Sequence, residues 1–166
     1  MSDAVGRMAV IEANMALTQS EFEALIADGT KTVVGDIEWS EDEDHSPSVE
    51  FRAEVGSTAG YPLFVKGTYN PAAKALSLVL IHRPAGRIYG LCLGKDHHNP
   101  TCQNVGEKHK HRWTEEFRDK QAYVPDEITA AATAVVQAWT EFCAESRITH
   151  SGTMRPPAPF QEALFP

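Results

Sequence analysis

The hydrophobic and polar positions of the chain follow two different periods, and the first of them is helical. Thr18 precedes a short apolar stripe, and Glu21 lies three residues after Thr18. This is the spacing of a capping box at a helix start. Phe22 and Leu25 fall on one face of such a helix. Gly29 then supplies a stop signal. This pattern predicts an N-terminal helix that packs one face against the rest of the domain.

From residue 31 onward, apolar and polar residues alternate with a period of two, which is typical of half-buried strands. Turn signals such as Asn70-Pro71 separate the alternating segments at short and even intervals. Short connections favour antiparallel pairing between neighbours. The pattern therefore predicts an antiparallel meander of about five strands, at residues 31–39, 49–55, 63–69, 75–82 and 88–93.

A second helical pattern begins at Pro125, because proline followed by two acidic residues is typical of a first helical turn. Its apolar stripe continues to Cys143, which is long enough to cover one face of the sheet. The sequence thus predicts an α+β fold with a long C-terminal helix packed on the sheet. We expect an N-terminal extension at 1–16, a single domain at 17–148 and a Pro-rich C-terminal tail at 149–166.

Composition and charge narrow the function classes. The chain has 166 residues, 42% of them hydrophobic, which suits one domain with its own core. A formal net charge of -8 disfavours generic coating of nucleic acid. The three cysteines lack a C-x-x-C spacing and so indicate neither a disulfide framework nor a zinc ribbon. Because no apolar run is long enough for a membrane span, we expect a cytoplasmic protein that does not enter a membrane.

Candidate chemistry concentrates in one stretch, since four of the seven histidines lie within residues 97–111. Residues 108–113 can form a short returning strand, and alternation on that strand would give one face to His109, His111 and Trp113. A loop that carries His97 could fold back toward the same face. The sequence therefore predicts a site at which several imidazoles converge.

One chemistry that these residues suggest is metal-independent cleavage of a phosphodiester. A neutral histidine takes a proton from a ribose hydroxyl, a protonated histidine delivers one to the leaving oxygen, and Lys or Arg stabilises charge on the phosphate. The candidate acid and base residues are His97, His109 and His111. The candidate substrate contacts are Asn99, Lys110, Arg112, Trp113 and Lys120. This interpretation predicts a small endoribonuclease of the toxin–antitoxin or phage-defence type without a cofactor, with RNA as substrate and a cognate antitoxin as partner.

The same stretch also suits metal coordination, and the sequence leaves this alternative open. The core ligands would be His97, His109 and His111, and the fourth ligand would be Asp96, Cys102 or Glu115. Three histidines with one open position are typical of a catalytic zinc or iron site. The cofactor would then be Zn²⁺ or another divalent transition metal, in a metal-binding protein or a hydrolase.

Two further interpretations assign neither catalysis nor metal binding to the histidines. The histidines can be exposed loop residues that only lie near one another. The acidic run at 41–44 can belong to a non-enzymatic protein that presents an acidic surface to a basic partner, as inhibitors and nucleic-acid mimics do. A homodimer is compatible with each of these interpretations.

The order of these motifs resembles that of an uncharacterised bacterial family, a domain of unknown function, over residues 17–148. The shared elements are a capped helix, a sheet, a final helix and the motifs His97-His98-Asn99-Pro100, His109-Lys110-His111-Arg112-Trp113-Thr114-Glu115 and Asp119-Lys120. More distantly, the chain is similar to TumE-like and RelE-like toxin ribonucleases, which also pair an N-terminal helix with an antiparallel sheet and a late cluster of His, Lys and Arg. That likeness implies RNA cleavage, although such toxins are commonly basic and this chain is acidic.

Overall fold

The computed structural model describes residues 17–94 and 106–159, and these form an α+β domain with two α-helices and nine strands. The helices are α1 (Gln19–Ala27) and α2 (Val135–Glu145). The strands are β1 (Lys31–Val34), β2 (Ser40–Glu41), β3 (Val49–Val55), β4 (Leu63–Asn70), β5 (Ala75–His82), β6 (Gly86–Leu93), β7 (Lys108–Arg112), β8 (Ala122–Tyr123) and β9 (Ile148–Ser151). The predicted fold class is confirmed.

The main sheet is a continuous meander. Its seven strands lie in the order β2-β3-β4-β5-β6-β7-β8, and each pairs with its neighbours in antiparallel fashion. The inner face of this sheet packs on both helices through a single apolar cluster that includes Leu78, Leu91, Trp139 and Phe142. Four of the five predicted strands, β3 to β6, are confirmed as neighbours in this meander, which also includes β2 at one edge and β7 and β8 at the other.

The N-terminal helix begins as the capping box predicts. The Thr18 hydroxyl accepts a hydrogen bond from the Glu21 backbone N–H, and the Glu21 carboxylate accepts one from the Thr18 N–H. Phe22 and Leu25 are fully buried on the inner face of α1. Reciprocal capping satisfies two of the backbone donors that the first turn of a helix leaves without internal partners.

Lys31 stabilises the other end of α1. Its buried Nζ donates to the backbone oxygens of Leu25 at 2.7 Å, Ile26 at 3.1 Å and Asp28 at 2.6 Å. The last carbonyls of a helix lack partners inside it and form the negative end of its dipole, so an ammonium group is a favourable partner. Burial lowers the pKa of the Lys31 amine to about 8.

The first predicted strand, at 31–39, does not join the meander. Instead β1 pairs in parallel with β9, from Lys31 opposite Ile148 to Val34 opposite Ser151, as a separate two-stranded sheet. Gly35 ends β1 with a φ of 96°, a left-handed conformation that glycine adopts at little cost. β9 includes the first residues of the predicted C-terminal tail, and Met154 within that tail is buried and bridges to Ile37.

The C-terminal helix is shorter than the sequence predicts, since α2 begins at Val135 and not at Pro125. The Thr129 and Ala130 N–H groups donate to the Glu141 carboxylate at 3.1 and 3.0 Å, which takes them out of a helical pattern. Ile128 and Ala130 are buried in this irregular segment. Burial of these side chains outweighs the local preference for a helix in the alanine-rich segment.

No helix in the described part of the chain is both long and apolar enough to cross a membrane.

Candidate metal centre

The two faces of β7 carry different chemistry because side chains alternate along a strand. His109 and His111 lie on one face and are 2% and 3% exposed. Across the sheet Cys92 of β6 lies directly opposite His109, and Gly90 lies opposite His111. Residues directly opposite one another project to the same face of a sheet, so the Cys92 thiol joins the two imidazoles.

The three side chains form one compact group. The ligand atoms of Cys92, His109 and His111 all lie within 4.8 Å of one another. The two imidazole centroids are 5.0 Å apart and meet edge to face at 74°. Ligand atoms around one tetrahedral zinc are separated by about 3.3 to 3.6 Å, given its bond lengths. The observed upper limit of 4.8 Å exceeds this spacing, so a shared metal would require the three side chains to move closer together.

Each histidine is oriented by a backbone oxygen. His109 Nδ1 lies 3.0 Å from the Gly106 oxygen, and His111 Nδ1 lies 2.8 Å from the Asp119 oxygen. A carbonyl oxygen can only accept, so each Nδ1 carries the hydrogen and donates it. Metal-binding histidines commonly donate one ring N–H to a backbone carbonyl, which fixes the orientation of the ring. The contacts of His109 and His111 with Gly106 and Asp119 are of this kind.

The opposite face of β7 carries an ion pair. Lys110 is fully buried, and its Nζ lies 2.8 Å from the Glu145 carboxylate of α2 and 3.6 Å from the centre of the Tyr89 ring. Burial lowers the pKa of the Lys110 amine to about 8, and the Glu145 carboxylate opposes that shift. The structure therefore places Lys110, a predicted phosphate contact, on the side of the sheet away from the histidines.

Two other predicted substrate contacts, Arg112 and Trp113, also lie apart from the imidazoles. Arg112 pairs with Glu23 of α1 at 2.9 Å. Trp113 is 1% exposed, and its ring centre lies 5.7 Å from that of Phe22. The predicted shared face for Trp113 is thus wrong, because β7 ends at Arg112 and the indole turns into the core. Lys120 lies in the turn segment that leads to β8.

The predicted fourth ligands have different outcomes. Glu115 accepts a hydrogen bond from the Gln19 backbone N–H at the start of α1, at 2.5 Å, and so lies away from the imidazoles. The remaining predicted residues lie outside the described part of the chain, and their roles stay predictions: Asp96, His97, Asn99 and Cys102.

A model of the family of unknown function DUF6978 matches residues 17–148. The chain belongs to this family. The DUF6978 match includes β6 and β7, and with them Cys92, His109 and His111. No curated protein and no solved structure matches the chain.

Sequence reasoning missed Cys92 as a member of the group. Alternation within β6 assigns it to the face opposite Leu91 and Leu93, and it gives no indication of a ligand. Its position opposite His109 depends on the register between β6 and β7, across the long connection at 94–107. Spacing along the chain does not determine that register.

Proposed function

We propose that this domain binds a divalent transition metal through Cys92, His109 and His111. The observation that carries the proposal is the convergence of one thiol and two imidazoles on a buried sheet face, with ligand atoms within 4.8 Å of one another. Both imidazoles donate from Nδ1 to backbone oxygens, an arrangement that is common among metal-binding histidines. The three side chains lie on two directly paired strands, β6 and β7, and the hydrogen bonds between these strands fix the register of the three residues.

The donor set selects the class of metal. Thiolate and imidazole are ligands for zinc, copper, nickel, cobalt and iron, whereas magnesium and calcium prefer carboxylate and carbonyl oxygens. One thiolate would neutralise one of the two positive charges of the ion. Zn²⁺ is the first choice, because it binds sulfur and nitrogen together and accepts a fourth ligand in tetrahedral geometry.

The geometry favours metal binding over phosphodiester cleavage. His109 and His111 are nearly inaccessible to solvent, whereas a general acid and base must reach an RNA strand. Lys110 and Arg112, which would stabilise a phosphate, pair with carboxylates on α2 and α1. The ribonuclease hypothesis stays a prediction, as does a cognate antitoxin, and an RNA cleavage assay with the His109→Ala variant tests it directly.

Cobalt titration of metal-free, tag-free protein tests the proposal. A thiolate bound to Co²⁺ gives a near-ultraviolet charge-transfer band, and tetrahedral Co²⁺ gives strong visible bands. We expect both to saturate at one Co²⁺ per chain. Cys92→Ser should abolish the charge-transfer band because a hydroxyl is a much poorer ligand for a soft metal.

Cys143→Ser is the matched control, because Cys143 is also buried and outside any disulfide but lies on α2. Burial raises the pKa of the Cys143 thiol to about 12, which disfavours the thiolate form that binds metals. This variant should retain the cobalt spectrum of the wild type. Absence of a charge-transfer band in the wild type, or its persistence in Cys92→Ser, would overturn the proposal.

A further inference from the structure

An ion pair of Arg87 with Asp119 lies next to His111. The backbone oxygen of Asp119 accepts the hydrogen bond from His111 Nδ1 at 2.8 Å. The carboxylate of the same residue accepts a hydrogen bond from Arg87 Nε at 3.0 Å, and Arg87 Nη2 lies 3.4 Å from the Asp119 backbone oxygen. Arg87 therefore contacts both the side chain and the backbone of Asp119, the residue whose backbone oxygen orients His111.

The oxygen that orients His111 belongs to a turn and not to a strand. The segment between β7 and β8 is closed by Thr114 and Arg118, whose backbone groups exchange hydrogen bonds at 3.0 and 2.8 Å. Arg118 has a φ of 55°, an uncommon value for a residue other than glycine. Asp119 follows this turn, and backbone hydrogen bonds of Lys120 with Phe117 and of Arg112 with Gln121 hold its neighbours. Arg87, on β6, adds the side-chain contacts that connect Asp119 itself to the sheet.

The sheet makes room for Arg87 beside the histidine. The register between β5 and β6 shifts at this point, since Leu80 pairs with Tyr89 and Ile81 pairs with Arg87. A β-bulge of this kind redirects a side chain. A Cβ atom at Gly90, opposite His111, would lie 3.3 Å from Arg87 Cδ. The absence of a side chain at Gly90 thus leaves space for the stem of Arg87.

We infer that Arg87 is a positioning residue of the metal centre, which acts on His111 through Asp119. The inference rests on the proposed function. The side chains of Arg87 and Asp119 are 30% and 37% exposed, and an ion pair so open to solvent contributes little to folding. Its specific effect is on the orientation of one ligand, as with the carboxylates and carbonyls that orient histidines in metal sites.

Zn²⁺ affinity, measured by competition with a chromophoric chelator, tests the inference with a matched pair of variants. Arg87→Gln should weaken binding by roughly 10- to 100-fold, the usual cost of losing an outer partner of a ligand. Arg83→Gln is the control: Arg83 lies in the same β5–β6 hairpin and pairs with Glu54 at 2.6 Å, away from the histidines. Arg83→Gln should leave the affinity unchanged and the melting temperature close to that of Arg87→Gln.

Two further variants separate positioning from general structural damage. Asp119→Asn keeps the backbone oxygen but removes the charge that holds Arg87, so it should lower the affinity in the same direction. Arg87→Lys keeps the charge and should restore part of the loss, and the visible bands of bound Co²⁺ should shift in Arg87→Gln but not in Arg83→Gln.

Equal Zn²⁺ affinities in Arg87→Gln and Arg83→Gln, with metal still bound by the wild type, would overturn this inference and leave the proposed function intact. A wild-type protein that binds neither Zn²⁺ nor Co²⁺ would overturn the proposed function, and this inference with it.

Discussion

The two faces of β7 bury polar groups in opposite ways. On the inner face, Lys110 meets the Glu145 carboxylate at 2.8 Å, and that carboxylate also accepts hydrogen bonds from the Tyr89 and Tyr123 hydroxyls at 2.7 and 3.2 Å. On the outer face, the same strand gathers two imidazoles beside the Cys92 thiol. A positive and a negative group are matched on the inner face, whereas metal-binding donor atoms lie together on the outer face.

The difference separates a structural cluster from a candidate binding site. Buried charges are tolerated when partners and hydrogen bonds compensate for the loss of water, and the Lys110–Glu145 cluster provides both. Burial raises the pKa values of the Tyr89 and Tyr123 hydroxyls, so both stay protonated and can donate. The thiol and imidazoles of the outer face instead share the ability to bind a cation. The proposed metal centre would account for their joint burial.

The largest expected effect comes from removing the imidazoles. The double variant His109→Ala/His111→Ala should lose more metal affinity than the roughly 10- to 100-fold that is lost when a residue that only orients a ligand is replaced. Added Zn²⁺ at 1,000 times the dissociation constant should stabilise the wild type by about 4 kcal/mol, and the double variant should gain none of this. Thermal unfolding with and without Zn²⁺ measures the difference.

His45→Ala is the control for this experiment, because His45 lies in a 3₁₀ helix with a side chain that is 75% exposed. It should respond to Zn²⁺ as the wild type does. Equal Zn²⁺ stabilisation of the double variant and the wild type would contradict the contrast between the two faces.

The next effect concerns the inner face. Glu145→Ala leaves the buried Lys110 charge without its partner and should lower the free energy of unfolding by roughly 3 to 5 kcal/mol. The exposed pair of Glu50 and Lys66, at 3.6 Å, provides a comparison: Glu50→Ala should cost at most about 1 kcal/mol. Denaturant unfolding of the metal-free proteins measures both. Similar costs for the two variants would contradict a structural role for the ion pair of Lys110 with Glu145.

A paired substitution sharpens this result. Lys110→Met/Glu145→Gln removes both charges and keeps an acceptor for the two tyrosine hydroxyls, so it should recover most of the stability that Glu145→Ala loses. The metal stoichiometry should match that of the wild type. Loss of metal in this variant would mean that the two faces of β7 do not act separately.

A smaller effect concerns the pH dependence of stability that the buried Lys31 introduces. The unfolded chain keeps the Lys31 proton up to about pH 10.5, whereas the folded chain releases it near pH 8. The unfolded state binds more protons in this window, so the contribution of Lys31 to stability rises with pH from about 8 to about 10.5. Asp28 opposes the lowered pKa and Arg147 favours it.

Lys31→Met removes this titration, so the gain in stability between pH 8 and 9.5 should be smaller in the variant than in the wild type. Denaturant unfolding at the two pH values gives the comparison. Identical pH slopes in the two proteins would contradict the role of burial at Lys31.

The sequence was sufficient where structure depends on neighbouring residues. The capping box at Thr18 and Glu21, the turns of the meander and the shared face of His109 and His111 all follow from short-range spacing. The sequence was insufficient to predict contacts between segments that lie far apart along the chain. The pairing of Lys31 with Ile148 and the position of Cys92 opposite His109 depend on packing between segments that spacing does not relate.

Competition between local and tertiary preferences accounts for the remaining differences. Trp113 continues the alternation of β7 in sequence, yet the gain from burying the indole against Phe22 takes it into the core. Burial of Ile128 likewise keeps the alanine-rich segment before α2 out of a helix. Helix propensity and strand period are weak preferences that tertiary packing can override.

The most direct test of the central claim is the metal content of tag-free protein, measured by inductively coupled plasma mass spectrometry after equilibration with Zn²⁺ and removal of the excess. We predict about one zinc per chain in the wild type and in Cys143→Ser, and none in Cys92→Ser or in His109→Ala/His111→Ala. A wild-type protein without metal, or equal zinc in all four proteins, would contradict the assignment of Cys92, His109 and His111 as a metal centre.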